Sequence, residues 1–255
     1  MHEPRVVAGG PAAATDLYPP DPPPLPGPTA QFHRWEHLSF LHWPYAPEDV
    51  QCLLPNDLRV DTIQGSAWVG LIPFRLHITV PGVPVLPWAG GFVETNVRTY
   101  VRAPDGTPGI WFLSLDAARF GAVVAARTMW SLPYMWATMD FRRAHDTVVY
   151  TSRRRWPHRD GATSRVVVRV GKQYEATDLT ALDQFLTARW WLFSPYRDGL
   201  AGTRAHHPPW PLRHAEVVEV DDRLLVAAGL PSPQGAPLVH HADGVDVRLS
   251  RRMPW

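Results

Sequence analysis

Lysine is almost missing from this chain. Lys172 is the only one, although Lys and Arg together number 25. Covalent chemistry through a lysine amine is therefore excluded from every position but one. Cysteine is as scarce: Cys52 stands alone, which excludes an internal disulfide and fits a reducing cytosol. A charge excess is lacking too. The formal net charge of +1 gives no electrostatic reason for nucleic acid or an anionic membrane as partner. No apolar run is long enough to cross a bilayer, and the N-terminus has no charged start followed by an apolar stretch, so a cytoplasmic protein without a leader is expected. A glycine-rich dinucleotide fingerprint, an HExxH pair and clustered cysteines are absent as well, so no cofactor is expected.

What the chain has in quantity is proline, 28 residues of it, which favours many short strands and turns over long helices. Residues 1–31 are rich in Ala, Gly and Pro and hold too little apolar bulk to fold, so they read as a disordered tail. Residues 32–255 show no internal repeat and no linker, and read as one domain. At 255 residues the chain can bury a full core. Strands are expected at 38–43, 58–62, 66–72, 75–80, 92–101, 109–116, 136–141, 147–152, 165–170, 216–220, 224–228 and 244–249. PGVPVLPWAGG (81–91) reads as a loop. A short helix opens at Pro47, an Ala-rich one covers 117–129, and a third covers 180–193 with Thr177 or Asp178 as its cap. The fold class is mainly β with two or three helices.

The most informative strand is FVETNVRTYV, Phe92–Val101. Glu94, Asn96, Arg98 and Tyr100 fall on one face and Val93, Thr95, Val97 and Thr99 on the other, because successive side chains of a strand point oppositely. On a surface strand the polar face meets water. In a closed barrel it puts a carboxylate, an amide and a guanidinium into the lumen. A carboxylate buried there alone is costly, so Glu94 would need Arg98 or Arg127 beside it. On the next strand, GIWFLSLD, alternation groups Phe112, Ser114 and Asp116. The paired histidines His206-His207 and His240-His241 each offer at most one ligand to a common centre, so no metal is expected, and HHPPWP reads as a rigid turn that packs Trp210.

Several segments taken in order, FLHWPYAPEDVQCLLP, SAWVGLIPF, ETNVRTYV, GIWFLSLDA, ARTMWSLPYMW, HHPPWPL and HADGVDVRL, resemble the YqjF-like family of uncharacterised bacterial proteins, a branch of the acetoacetate-decarboxylase-like superfamily. The resemblance implies a cone-shaped antiparallel β-barrel with an interior cavity and flanking helices. The decarboxylase works through a Schiff-base lysine in a Gly-Arg-Glu…Trp-Gly-Phe-Pro-Lys-Lys motif. The similar stretch here keeps Arg127, Trp130 and Pro133 but has Tyr134 and Met135 where the two lysines would stand, so that mechanism is absent. Glu94 corresponds to the acidic position of the decarboxylase strand.

Two readings follow. In the first, the barrel holds a small organic acid or related metabolite. Glu94 and Tyr134 would be the acid/base and carbonyl-polarising groups, and Asn96, Arg98, Ser114, Asp116 and Arg127 the ligand-binding ones. As an enzyme it would be a lysine-independent lyase, isomerase or hydratase. In the second, the polar strand face is an ion-pair network of a non-catalytic structural protein, a homo-oligomer included.

Overall fold

The computed structural model describes residues 18–82, 91–157 and 161–255. Residues 83–90 of the expected 81–91 loop, and residues 1–17 of the expected tail, lie outside them. Of the rest of that tail, Thr29–Gln31 open the first strand and Tyr18 is held against the body. Tyr18 is buried, its hydroxyl donates to Asp61 at 2.8 Å, and its ring lies over the Arg189 guanidinium.

The sheet is organised around one wall. Strand β1 (Thr29–Tyr45) pairs antiparallel with β4 (Ser66–Thr79), β4 with β5 (Phe92–Arg102), and β5 with β6 (Pro108–Ala117). Strand β13 (Leu238–Ser250) flanks β1 on its other side. Two circuits start and end on this wall. One runs from β6 through β7 (Tyr134–Ala144), β8 (Thr147–Trp156), β9 (Thr163–Gln173) and β12 (Leu212–Asp222) to β13. The other runs from β6 through β10 (Trp191–Tyr196) and β11 (Gly199–His206) to β13. The sheet thus closes on itself in two loops that share five strands. Short strands β2 (Arg59–Val60), β3 (Thr62–Ile63) and β14 (Met253–Pro254) finish its edges.

Because the wall has a loop on each side, both its faces are covered. That is why β5 is buried along nearly its whole length, and β4 from Ala67 to Phe74, instead of alternating between core and water. The larger circuit is filled by the main apolar cluster, with Trp43, Leu71, Val97, Tyr150 and Val168 at its centre. The smaller one encloses a cavity.

Local signals explain much of the trace. Gln64-Gly65 has positive φ at both residues (54° and 78°), the conformation a two-residue hairpin turn needs, and β3 and β4 pair directly across it. The expected strands at 66–72 and 75–80 are one continuous strand. Helix α1 (Pro47–Gln51) carries Pro in its first turn, and the Ala-rich helix α2 (Phe120–Trp130) crosses from β6 to the parallel strand β7.

Two expectations are corrected. The helix predicted over 180–193 is α3 (Ala181–Thr187) only, capped by Thr180, whose hydroxyl accepts from the Asp183 amide. The aromatic run that follows becomes β10, as bulky side chains suit a strand flanked on both sides. The strand predicted at 224–228 is instead the helix α4 (Leu224–Ala227), started by the Asp222 carboxylate accepting from the Leu225 amide at 3.0 Å.

Candidate functional site

The cavity in the smaller circuit has a volume of about 480 Å³, within the range of small-molecule pockets. Glu94, Asn96 and Arg98 all line it, carried there by the alternation of β5, and Phe92 continues the same face. Tyr134 enters beside them from the start of β7, where it pairs with Leu115 of β6. Helix α2 covers part of the opening with Ala122, Ala125 and Ala126.

Glu94 is 3 % exposed and pairs with no cation among the described residues. Its partner is Tyr134, whose hydroxyl donates to Oε2 at 2.9 Å. Burial pushes the Glu94 carboxyl up to about 8, against the downward pull of the Tyr134 hydrogen bond and with a further upward push from the Asp116 charge. Burial, and then the neighbouring Glu94, hold the Tyr134 phenol well above its ordinary 10. At neutral pH the pair is therefore a carboxylic acid and a phenol, two uncharged groups with protons to share. The expected ion pair with Arg98 or Arg127 is not formed. Four residues along a strand separate Glu94 and Arg98 by about 13 Å, and protonation removes the charge that would have needed a partner.

Arg98 is 7 % exposed. Its Nη2 donates to Leu186 O at 3.3 Å and reaches Tyr100 Oη at 3.4 Å. Its guanidinium also lies over the rings of Phe40 and Tyr100 at 5.7 Å each. These are neutral partners. Nε has no hydrogen-bond partner, and no carboxylate among the described residues neutralises the group. Asn96 likewise leaves its Oδ1 without one. The second buried arginine on the cavity, Arg189, has a carboxylate partner: Nη1 lies 2.7 Å from Asp61 Oδ2 and Nε donates to Phe185 O at 2.8 Å, while Nη2 has no hydrogen-bond partner.

Three predicted site residues stand elsewhere. A β-bulge between Val97 and Arg98 shifts the pairing of β5 with β6, so that Val97 faces Ser114 while Arg98 faces Phe112. The extra residue, Leu113, reverses the alternation. Phe112 lines the cavity, whereas Ser114 and Asp116 share the opposite face with Thr95 and Val97, inside the larger circuit. This corrects the grouping of Phe112 with Ser114 and Asp116. There the two polar residues meet Arg154, whose Nε lies 2.9 Å from Asp116 Oδ1 and whose Nη2 lies 2.8 Å from Ser114 Oγ, while Ser152 donates to Asp116 Oδ2 at 3.1 Å. Burial pushes the Asp116 carboxyl up to about 6, and Arg154 opposes that. Arg127 lies outside the cavity lining. Its Nη1 donates to the Tyr134 carbonyl at 2.7 Å and its guanidinium covers the Trp156 ring, which makes it a support for the Tyr134 backbone.

Sequence reasoning missed His207, Trp35 and Trp210 as parts of the site. His207 lines the cavity and is buried; its Nδ1 lies 2.7 Å from Pro208 O, so Nδ1 carries the proton and Nε2 is left as an acceptor. Burial pushes its imidazole down to about 4 despite that hydrogen bond. Trp210 stacks on Trp35 with ring centroids 5.9 Å apart. The rigid HHPPWP turn was legible; that it faces a cavity was not. Away from the cavity, ligand atoms of His37, His241 and Asp243 lie within 4.8 Å of one another. Arg143 and Arg213 already bind Asp243, and Arg143 also contacts His37 Nδ1, so positive charge stands against a cation there.

A family model described as an uncharacterized conserved protein, DUF2071, matches residues 33–246. The chain belongs to the DUF2071 family. The uncharacterized protein YqjF of Bacillus subtilis (strain 168) is 36% identical over 222 residues, which are 87% of this DUF2071 chain and 90% of that protein. Among solved structures, the fold is similar to an acetoacetate decarboxylase-like enzyme from Sphingomonas wittichii RW1, with a TM-score of 0.64 at 14% identity over 90% of this chain and 94% of that one. It is similar to the acetoacetate decarboxylase of Legionella pneumophila, with a TM-score of 0.63 at 14% identity over 98% of each chain. The enduracididine biosynthesis enzyme MppR, complexed with pyruvate, gives a TM-score of 0.63 at 11% identity over 90% of this chain and 91% of that one. At these identities the likeness concerns the fold, and the fold expected for the DUF2071 chain is thereby shown.

Proposed function

We propose that this DUF2071 protein binds a small organic acid in the cavity of the smaller circuit. The ligand's carboxylate sits on Arg98, Asn96 offers its amide alongside, and the Glu94–Tyr134 pair stands further along the strand as an uncharged hydrogen-bond or proton donor facing the far part of the ligand. The observation that carries this reading is Arg98: a positive charge on the cavity wall, 7 % exposed, held only by neutral oxygens and rings. A guanidinium in that state gains a bidentate, charge-assisted contact when a carboxylate enters. MppR, of similar fold, is complexed with pyruvate, a small oxo acid, and supports the same kind of occupant here.

The chemistry available is acid–base and free of lysine. Lys172 is exposed near the end of β9 and is not on the cavity lining. A carboxyl with a pKa of about 8 still holds its proton at neutral pH and can protonate a carbonyl or enolate oxygen placed against it. Titration calorimetry of the wild type and of Arg98→Gln with a carboxylic acid and with its uncharged primary amide tests the assignment. The acid is expected to bind the wild type at least tenfold more tightly than the amide, since a hydrogen bond to a charged group is worth about 1.5–3 kcal/mol, and R98Q is expected to erase that preference. Equal binding of acid and amide by the wild type would refute it.

A further inference from the structure

We infer that the acid held in this cavity is amphiphilic: a monocarboxylic acid whose carboxylate sits on Arg98 and whose extended apolar body fills the rest of the space. This rests on the reading of Arg98 given above and adds the class of ligand. The first ground is size. A cavity of about 480 Å³ is of the size that holds a drug-sized ligand. A three-carbon oxo acid would occupy a small part of it and leave the remainder as water against apolar walls.

The second ground is the distribution of polarity. Of the buried polar side chains on the lining, Glu94, Asn96 and Arg98 form one stripe along β5; Thr187, Arg189, Ser194, His207 and Ser250 stand on other parts of the wall. The neighbouring strand β4 presents Ile72, Phe74, Leu76 and Ile78 to the same cavity, every second residue and all of them apolar, and Thr79 and Val80 line its outer end. Their exposure rises along the strand. Ile72, Phe74 and Leu76 are buried, Ile78 is partly exposed, and Val80 is 37 % exposed. They form a ramp from the level of Asn96, which pairs with Ile72, outward to the surface. Trp35, stacked on Trp210, closes it on the β1 side, and Ile110 and Phe112 of β6 continue the apolar surface beside Arg98. A path of this kind favours a methylene chain or an aryl body over hydroxyl-rich or multiply charged ligands, whose polar groups would lose their water there without partners.

The third ground is the rim. Arg251, exposed, and Arg252, partly so, border the cavity at the outer end. Two arginines at the entrance raise the local concentration of an anion that must pass them to reach Arg98.

Titration of the full chain with straight-chain carboxylates from acetate to dodecanoate, and with phenyl-substituted alkanoates in a second arm, tests the inference. Each methylene buried on the ramp is worth about 0.8 kcal/mol, so affinity is expected to rise about fourfold per carbon until the ramp is filled, then level off. The second arm separates an aryl from an alkyl body by which series binds more tightly at equal carbon number. In Arg98→Gln the dependence on chain length should persist while every acid weakens by a similar factor. Ala126→Phe, which places a ring on the cavity side of the partly exposed helix α2, should shorten the optimal chain and leave acetate and propionate unchanged. If affinity does not rise with chain length but still depends on Arg98, the amphiphilic ligand is refuted and the carboxylate site stands. If chain length matters but no acid is preferred over its primary amide, the anchor at Arg98 is refuted and the inference falls with it.

Discussion

Glu94 offers the sharpest test, because its state can be read without knowing any ligand. In the unfolded chain its carboxyl titrates near the ordinary 4.5, and in the folded protein burial moves it to about 8. The folded protein therefore keeps a proton that the unfolded chain has released throughout that interval. Its contribution to stability must fall as pH rises from about 4.5 to about 8 and be flat on either side of that interval. Each pH unit in the interval costs about 1.4 kcal/mol. This carboxyl alone thus makes the wild type roughly 3 kcal/mol less stable at pH 7 than at pH 4, and on the order of 5 kcal/mol less stable above pH 8. Glu94→Gln removes the titration and keeps an oxygen for the Tyr134 hydroxyl. The variant is expected to match the wild type within about 1 kcal/mol at pH 4 and to exceed it by roughly 3 kcal/mol at pH 7, since the contributions of all other groups cancel in the difference. Urea unfolding of both proteins across this pH range, without added ligand, measures it directly. A difference that stays constant with pH would mean Glu94 is ionised in the folded state. A difference that changes in the opposite sense would mean it has a cationic partner. Either outcome refutes the neutral acid and the proton-donor role built on it.

Arg154→Met should cost roughly 3–5 kcal/mol, because it strands Asp116 without its guanidinium, and adding Asp116→Asn should recover a large part of that loss in the same unfolding assay. Tyr18→Ala should cost roughly 3 kcal/mol, by loss of a buried ring that packs edge-on against Phe185 and of its bond to Asp61; no change in the unfolding midpoint would show that the 18–28 segment adds nothing. Borohydride reduction in the presence of β-oxo acids should leave Lys172 unmodified by mass spectrometry, whereas a stable adduct there would overturn lysine-independent chemistry. Binding of carboxylates should weaken as pH rises through about 8 in the wild type and not in Glu94→Gln, since an ionised Glu94 repels the incoming anion; identical pH profiles would remove Glu94 from the site.

The polar face of β5 was legible in the sequence because it obeys the simple two-residue period from Phe92 to Tyr100. The neighbouring β6 was not, and the reason is local. One inserted residue at Leu113 makes Phe112 and Ser114 point to opposite sides, and nothing in GIWFLSLD marks the insertion. Helix α3 failed in a different way. Its stripe of Leu182, Phe185 and Leu186 continues smoothly into Arg189 and Trp190, yet the chain leaves the helix after Thr187, and Arg189 then finds Asp61. Long-range pairing of that kind outweighs helical periodicity and leaves no trace in it. The cap was misplaced by the same token: Thr177, Asp178 and Thr180 all qualify as types, and the Asp183 carboxylate decides among them by bonding back to the Thr180 amide at 2.7 Å.

The cavity itself follows from a consequence of the double closure. A strand in an ordinary barrel has one face for the lumen and one for solvent or covering helices. Along β5 the wall serves two interiors, so the polar residues from Glu94 to Thr99 are buried whichever way they point. Each interior resolves that constraint differently. In the larger circuit Asp116 stays beside Arg154, and the charge is compensated within the chain. In the smaller circuit Glu94 keeps its proton, while Arg98 keeps a charge that no carboxylate among the described residues meets. Equivalent alternation thus produces a closed ion pair on one side of the sheet and an uncompensated cation on the other, and a carboxylate is the ligand that would remove that asymmetry.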